Sequence, residues 1–215
     1  MKALDSLVLN IELTLISIIQ GVALYFLVDS SRAPILERNY AAWPYIATGL
    51  VVIFLFWSRS ILHSLTVIRW PLEFGHNFLY IASTLVEAVQ FTQVAKPETW
   101  FSLGAAYSVL IWLLFVYDLQ MIRKRAREDR SLPGQKLYAA VERVQRTNIY
   151  FLMPATLAFN LGAAALIHGF PGFFLERGGH WLLAGAQFAA ALAYLIHGVR
   201  FFSKLHPLLG ESTPS

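Results

Sequence analysis

The sequence predicts an all-α, polytopic integral membrane protein with six transmembrane helices and both termini cytoplasmic. Composition points there first. The 215 residues are 57% hydrophobic and only 14% charged, with a mean hydropathy of +0.54, whereas soluble domains run at about 45–50% apolar and about 25% charged. Length comes second: six apolar runs, roughly 7–28, 43–63, 74–95, 101–122, 148–169 and 180–202, each approach the roughly 20 residues that cross a hydrocarbon core about 30 Å thick. Lipid offers the backbone no hydrogen bonds, so spans of this length must be helices. Together they make a single domain, 1–206, followed by a disordered tail, 207–215.

The first run starts almost at Met1 with only Lys2 ahead of it, and it is too long for the apolar core of a signal peptide. It reads as a retained first helix, carrying Asn10, Glu12 and Gln20. The second opens at Trp43-Pro44 and closes on FLFWSRSILH. The third, FGHNFLYIASTLVEAVQFTQVA, places Glu87 and Gln90 one helical turn apart, with Gln93 a turn beyond. In the fourth and fifth, GAAYS and FNLGAAAL supply small residues that suit close helix packing. The sixth ends near His197 and Arg200.

The loop 123–147 holds Arg123, Lys124, Arg125, Arg127, Arg130, Lys136, Arg143 and Arg146. Positive charge on this scale marks a cytoplasmic loop. Six spans then put both termini and the 58–73 loop, with Arg59 and Arg69, on the same side. The loops around 30–42, 96–100 and 170–179 face out. Trp43, Trp100 and Trp181 open spans, while Trp57 and Trp70 lie toward the inner side, as interfacial belts require. Within the basic loop, SLPG reads as a turn. Leu137, Val141 and Val144 recur at helical spacing, either as an amphipathic helix on the inner leaflet or as an extension of the fifth span.

The absence of cysteine excludes disulfides, thiolate catalysis, iron–sulfur clusters and cysteine zinc sites. No nucleotide-binding loop, nucleophile elbow or cofactor motif is present. The net charge of +4 belongs to topology, not to nucleic acid. The expected partners are the lipid bilayer, further copies of the chain, and an anionic lipid or protein at the basic loop.

An ionisable residue at the centre of a span costs about 2.5–3.5 kcal/mol, so each one is a functional candidate. Two carboxylates qualify, Glu12 and Glu87. Helical rise separates them in depth by roughly 10–15 Å, too far for a shared dyad but suited to two stations on one polar path. The pore or transport set is Glu12, Thr14, Gln20, Ser83, Glu87 and Gln90. The structural alternative for Glu87 is a neutral carboxyl bridging helices through Ser83, Gln90 or a tyrosine; for Glu12 it is a side chain that snorkels or pairs with Arg59 or Arg200. His63, His76 and His197 fall at inner span ends with Asp118, a possible metal or proton site. Their spacing matches no recognised ligand set, and interfacial histidines are ordinarily satisfied by backbone and headgroups.

The segment Ser6-Leu-Val-Leu-Asn-Ile-Glu-Leu-Thr-Leu-Ile, with Thr14, Leu15 and Ile16, resembles the opening pore helix of the bacterial homologues of the lysosomal potassium channel family. Trp43-Pro44 and FLFWSRSILH are similar in character to that family's second helix. Three features depart from it. The Phe-Ser-Asp motif is absent, Asp5-Ser6 standing in reversed order; Glu12 takes an apolar position; and the Trp57-to-His63 spacing is longer. The resemblance implies a tetramer whose first span lines a cation pore closed by apolar side chains.

These observations place a channel or permease for a cation or small polar solute first, in a bacterial cytoplasmic membrane. A non-catalytic integral subunit or assembly factor, whose polar residues pack helices and whose basic loop docks a partner, comes second. An intramembrane metal-dependent enzyme using the inner histidines comes third.

Overall fold

The computed structural model describes residues 2–63, 74–128 and 131–211, excepting the side chains of 2–9, 12, 62–63, 133 and 205–211. Every described element is helical. In chain order they are α1 (Lys2–Leu36), a short 3₁₀ turn (Tyr40–Ala42), α2 (Trp43–His63), α3 (Phe74–Phe91), α4 (Pro97–Glu128), α5 (Leu132–Thr147), a π-helical turn (Asn148–Leu152), α6 (Met153–Gly169), a second π turn (Gly172–Glu176) and α7 (His180–Glu211). Five stretches are long and apolar enough to cross a membrane: Leu13–Leu36, Tyr40–Ile61, Pro97–Glu128, Gly134–Gly169 and His180–Lys204. The chain is accordingly an integral membrane protein. Ile18, Val22, Tyr25 and Val28 on α1, with Leu182, Ile196 and Val199 on α7, stand exposed. So large an apolar surface suits lipid contact.

Helix α3 is not one of the five. Its 18 residues include His76, Asn77, Glu87 and Gln90, and this polarity dilutes a segment that still rises about 27 Å. It runs antiparallel to α4. His76 meets Asp118 at one end, and Phe91 lies 6.1 Å from Trp100, ring to ring, at the other. Helix α4 lies against α3, α5 and α6; α1 packs on α2 and α3; α2 also packs on α7. At the Trp100 end, Tyr45 packs edge-on to Trp100 at 5.3 Å and its hydroxyl meets His180 Nδ1 at 2.9 Å. The connections 37–42, 92–96 and 170–179 therefore share that end of the bundle.

Helices α5 and α6 form one unbroken helical run through the π turn. Ser131 caps it, accepting from the Gly134 N–H with a proline in the first turn, so SLPG is the cap and start of a helix rather than a free turn. Leu137, Tyr138 and Val141 are buried beside Ile122, and Phe201 of α7 packs on them. The apolar face of α5 thus covers protein, and the extension reading holds. Two further expectations change. Helix α7 continues to Glu211, into the segment read as a tail. Trp100 is only 1% exposed, a core residue and not an interfacial one; Arg69 and Trp70 lie outside the described residues.

Candidate functional site

Buried polar side chains occur at three levels along the bundle. The level at the Trp100 end is a closed network across four helices. Gln90 Nε2 donates to the Trp100 carbonyl at 3.1 Å, and Trp100 Nε1 donates to Gln187 Oε1 at 2.8 Å. Gln187 Nε2 donates to Asn160 Oδ1 at 3.0 Å, and Asn160 Nδ2 donates to the Thr156 carbonyl at 2.8 Å. Gly104 makes this possible: a Cβ there would stand 2.5 Å from Asn160 Oδ1 and 3.0 Å from Gln90 Nε2. Each amide finds a partner, and buried polar groups satisfied in this way lock helices together.

The middle level is different. Glu87 is 0% exposed and neither of its carboxyl oxygens has a hydrogen-bond partner. Gln20, brought across from α1, is its polar neighbour, but the Gln20 amide nitrogen donates to Thr84 Oγ1 at 3.2 Å. Gln20 Oε1 is likewise buried without a partner. Tyr107 of α4 and Tyr80 of α3 complete the group; Tyr107 lies within electrostatic reach of both Glu87 and Tyr80. Phe56 contacts both rings, stacked on Tyr80 at 4.8 Å and edge-on to Tyr107 at 6.3 Å. The two Glu87 oxygens and Gln20 Oε1 are thus buried acceptors without a well-formed hydrogen bond; the Gln20 amide nitrogen comes near the carboxyl but is bonded to Thr84. An ionised carboxylate buried this way costs several kcal/mol, so the site must be neutralised by a proton or a cation.

At the third level, a cleft of about 60 Å³ opens between α1, α2, α3 and α4. Leu15, Ile16 and Ile19 form one wall, and Arg59, Ser60, His76, Asn77, Tyr80 and Asp118 supply its polar groups. His76 Nε2 lies 3.2 Å from Asp118 Oδ1, with the side chains 20% and 5% exposed. Arg59 sits 4.3 Å above the Phe115 ring and donates to Gln145 Oε1, while Gln145 Nε2 donates to the Phe115 carbonyl at 2.8 Å. The guanidinium therefore ties α2 to α4 and to the last turn of α5.

Of the residues singled out in the sequence, Gln20 and Glu87 come together and His76 meets Asp118. The others disperse. Gln90 belongs to the closed network, and Ser83, although buried, donates to the Tyr80 carbonyl of its own helix. Thr14 is exposed and donates to the Asn10 carbonyl. Gln93 falls in the turn after α3, where it donates to Thr92, so the polar stripe ends at Gln90. His197 is exposed on α7. The side chains of Glu12 and His63 lie outside the described ones. Among the described residues no three metal-ligating side chains converge.

Sequence reasoning missed Thr84, Tyr107, Gln145, Asn160 and Gln187. A signal existed for two of these, since Asn160 and Gln187 each interrupt an apolar run with an amide. Comparison with protein-family models, curated proteins and solved structures yields no match.

Proposed function

We propose that the chain is a membrane carrier or channel for a cation or small polar solute, with Glu87 and Gln20 as its intramembrane station. The carrying observation is a wholly buried carboxyl, neither oxygen of which is hydrogen-bonded. Gln20 of α1 comes near this carboxyl, but its amide nitrogen is bonded to Thr84, so no well-formed bridge accounts for the acid. Gln20 faces into the bundle, which supports a path within one chain rather than around an oligomer axis. The outward face of α1, with Ile11, Thr14 and Ile18, is where a second copy would pack if the chain assembles as the potassium channel homologues do.

In this reading α3 is the sixth crossing, because its rise of about 27 Å nearly matches the hydrocarbon core. Both termini and the basic segment 123–147 then face the cytoplasm of a bacterial cell. The chain contains no cysteine, which makes the topology directly testable. Single cysteines at Ala33 or Glu98 are expected to react with an impermeant thiol reagent from outside intact cells, and one at Arg127 only after permeabilisation. The reverse pattern would invert the assignment.

Reconstituted flux tests the station itself. Glu87→Gln keeps the shape of the side chain but removes its ability to hold a proton or a charge. It is expected to fold with an unchanged melting temperature and to lose most of the wild-type cation or proton flux in liposomes. Undiminished flux would remove Glu87 from the path. That result would favour the reading of an integral subunit or assembly factor, which the fully satisfied Gln90–Trp100–Gln187–Asn160 network supports on its own.

A further inference from the structure

We infer that the cargo loaded at Glu87 is a proton, delivered from the His76–Asp118 cleft along one face of α3. The inference rests on the transport reading above and adds the chemical species and its route. Four groups capable of passing protons, His76, Tyr80, Thr84 and Glu87, recur on α3 at i, i+4, i+8 and i+11, within one helical face. His76 and Tyr80 both line the cleft. Its volume accommodates a few waters among polar partners. Gln20 holds Thr84 by its hydroxyl oxygen, and Thr84 and Glu87 lie on adjacent turns.

The groups facing this route from each neighbouring helix favour a proton. Among its described side chains, helix α1 contributes the neutral Gln20 and apolar Leu15, Ile16 and Ile19. Helix α2 contributes Arg59, whose positive charge beside the cleft opposes entry of a metal cation. Helix α4 contributes Asp118, paired with His76, and the phenols of Tyr117 near His76 and Tyr107 near Glu87. A metal cation needs several oxygen ligands in its first shell, and the middle level offers three acceptor oxygens. A single proton on the carboxyl, by contrast, turns one acceptor oxygen into a donor beside Gln20, whose own Oε1 is buried without a partner.

The step is a pure proton transfer. One O–H bond of the Glu87 acid breaks, its electron pair stays on the carboxylate, and the proton passes by hydroxyl and cleft water to the His76 imidazole, whose Nε2 lies 3.2 Å from Asp118 Oδ1. Loading is the reverse. Toward the Trp100 end the amide network and the surrounding cluster of Leu27, Tyr45, Phe91 and Phe101 present no such series, so this arrangement is open to the cleft end.

Infrared spectroscopy of the full-length protein in liposomes tests the route without relying on flux. The wild type is expected to show a protonated-carboxyl C=O band that disappears in Glu87→Gln and shifts on transfer to heavy water. In Tyr80→Phe, which keeps the ring stacked on Phe56, and in His76→Gln, that shift should slow by roughly tenfold or more at an unchanged melting temperature. Absence of the band, or exchange at the wild-type rate in both variants, overturns the inference. Flux through Glu87→Gln separates the two failures: flux lost with wild-type exchange in the variants leaves a transporter without this route, whereas flux retained removes the transport reading together with the route.

Discussion

Glu87→Met is expected to raise the thermal stability of the protein while eliminating the transport proposed above. Removing a buried polar group ordinarily strands its partners, and the cost then reflects those partners as much as the group itself. Glu87 strands little when removed, since neither of its oxygens makes a well-formed hydrogen bond and its neighbour Gln20 keeps the bond from its amide nitrogen to Thr84. Methionine matches the glutamate in length and fills the same space between α1, α3 and α4. The substitution therefore relieves desolvation of the carboxyl at little packing cost, a gain of about 1–3 kcal/mol. A melting curve in detergent, set beside flux in liposomes, reads both effects. A stability loss of similar size would mean that the carboxyl holds the helices together, and would count against a transport role.

Gly104→Ala is expected to produce the largest stability loss among single-methyl additions to the bundle. The new Cβ would lie 2.5 Å from Asn160 Oδ1 and 3.0 Å from Gln90 Nε2, so one or both amides must move. Asn160 Oδ1 is the acceptor for Gln187, which in turn accepts from Trp100, and the displacement propagates through α3, α6 and α7. Overpacking costs about 1–3 kcal/mol, and each buried group left without its partner adds about 1–3 kcal/mol. Gly162→Ala is the matched control. It lies on α6, where a Cβ meets nothing within 4 Å, and alanine should be neutral there or stabilising by about 0.5–1 kcal/mol. Equal melting temperatures for the two variants would show that the network tolerates separation.

The helices were legible because hydrophobic length is a local property of the chain. Even α3, too polar to stand out by hydropathy, was visible from the run around Glu87. The partners of the polar residues were not legible in the same way. Gln20 meets the Glu87 level across the α1–α3 contact, and Arg59 reaches Gln145 on a helix three elements later; neither pairing leaves a mark in spacing. Periodicity also overreached. It carried the stripe from Gln90 to Gln93, although the chain leaves the helix at Phe91 and restarts at Pro97. The apolar face of α5 was visible, but an apolar face reads alike whether lipid or protein covers it. What decided the matter was Ile122 and Phe201, residues outside that segment.

The π turn at Asn148–Leu152 fixes the phase between the two halves of the long α5–α6 rod. A π turn takes up one residue more than an α turn, and each residue of an α-helix advances the side chains by about 100° around the axis. Leu137 and Val141 on one half, and Asn160 and Ala163 on the other, are buried in the bundle together only because that extra residue rotates the second half into register. The segment behaves like a reading frame for helix faces. Deleting one residue from it would turn Asn160 away from Gln187, or else lift Val141 off its packing, without altering the composition of either helix. Over these few residues, the count of amino acids constrains the chain as tightly as their identity does.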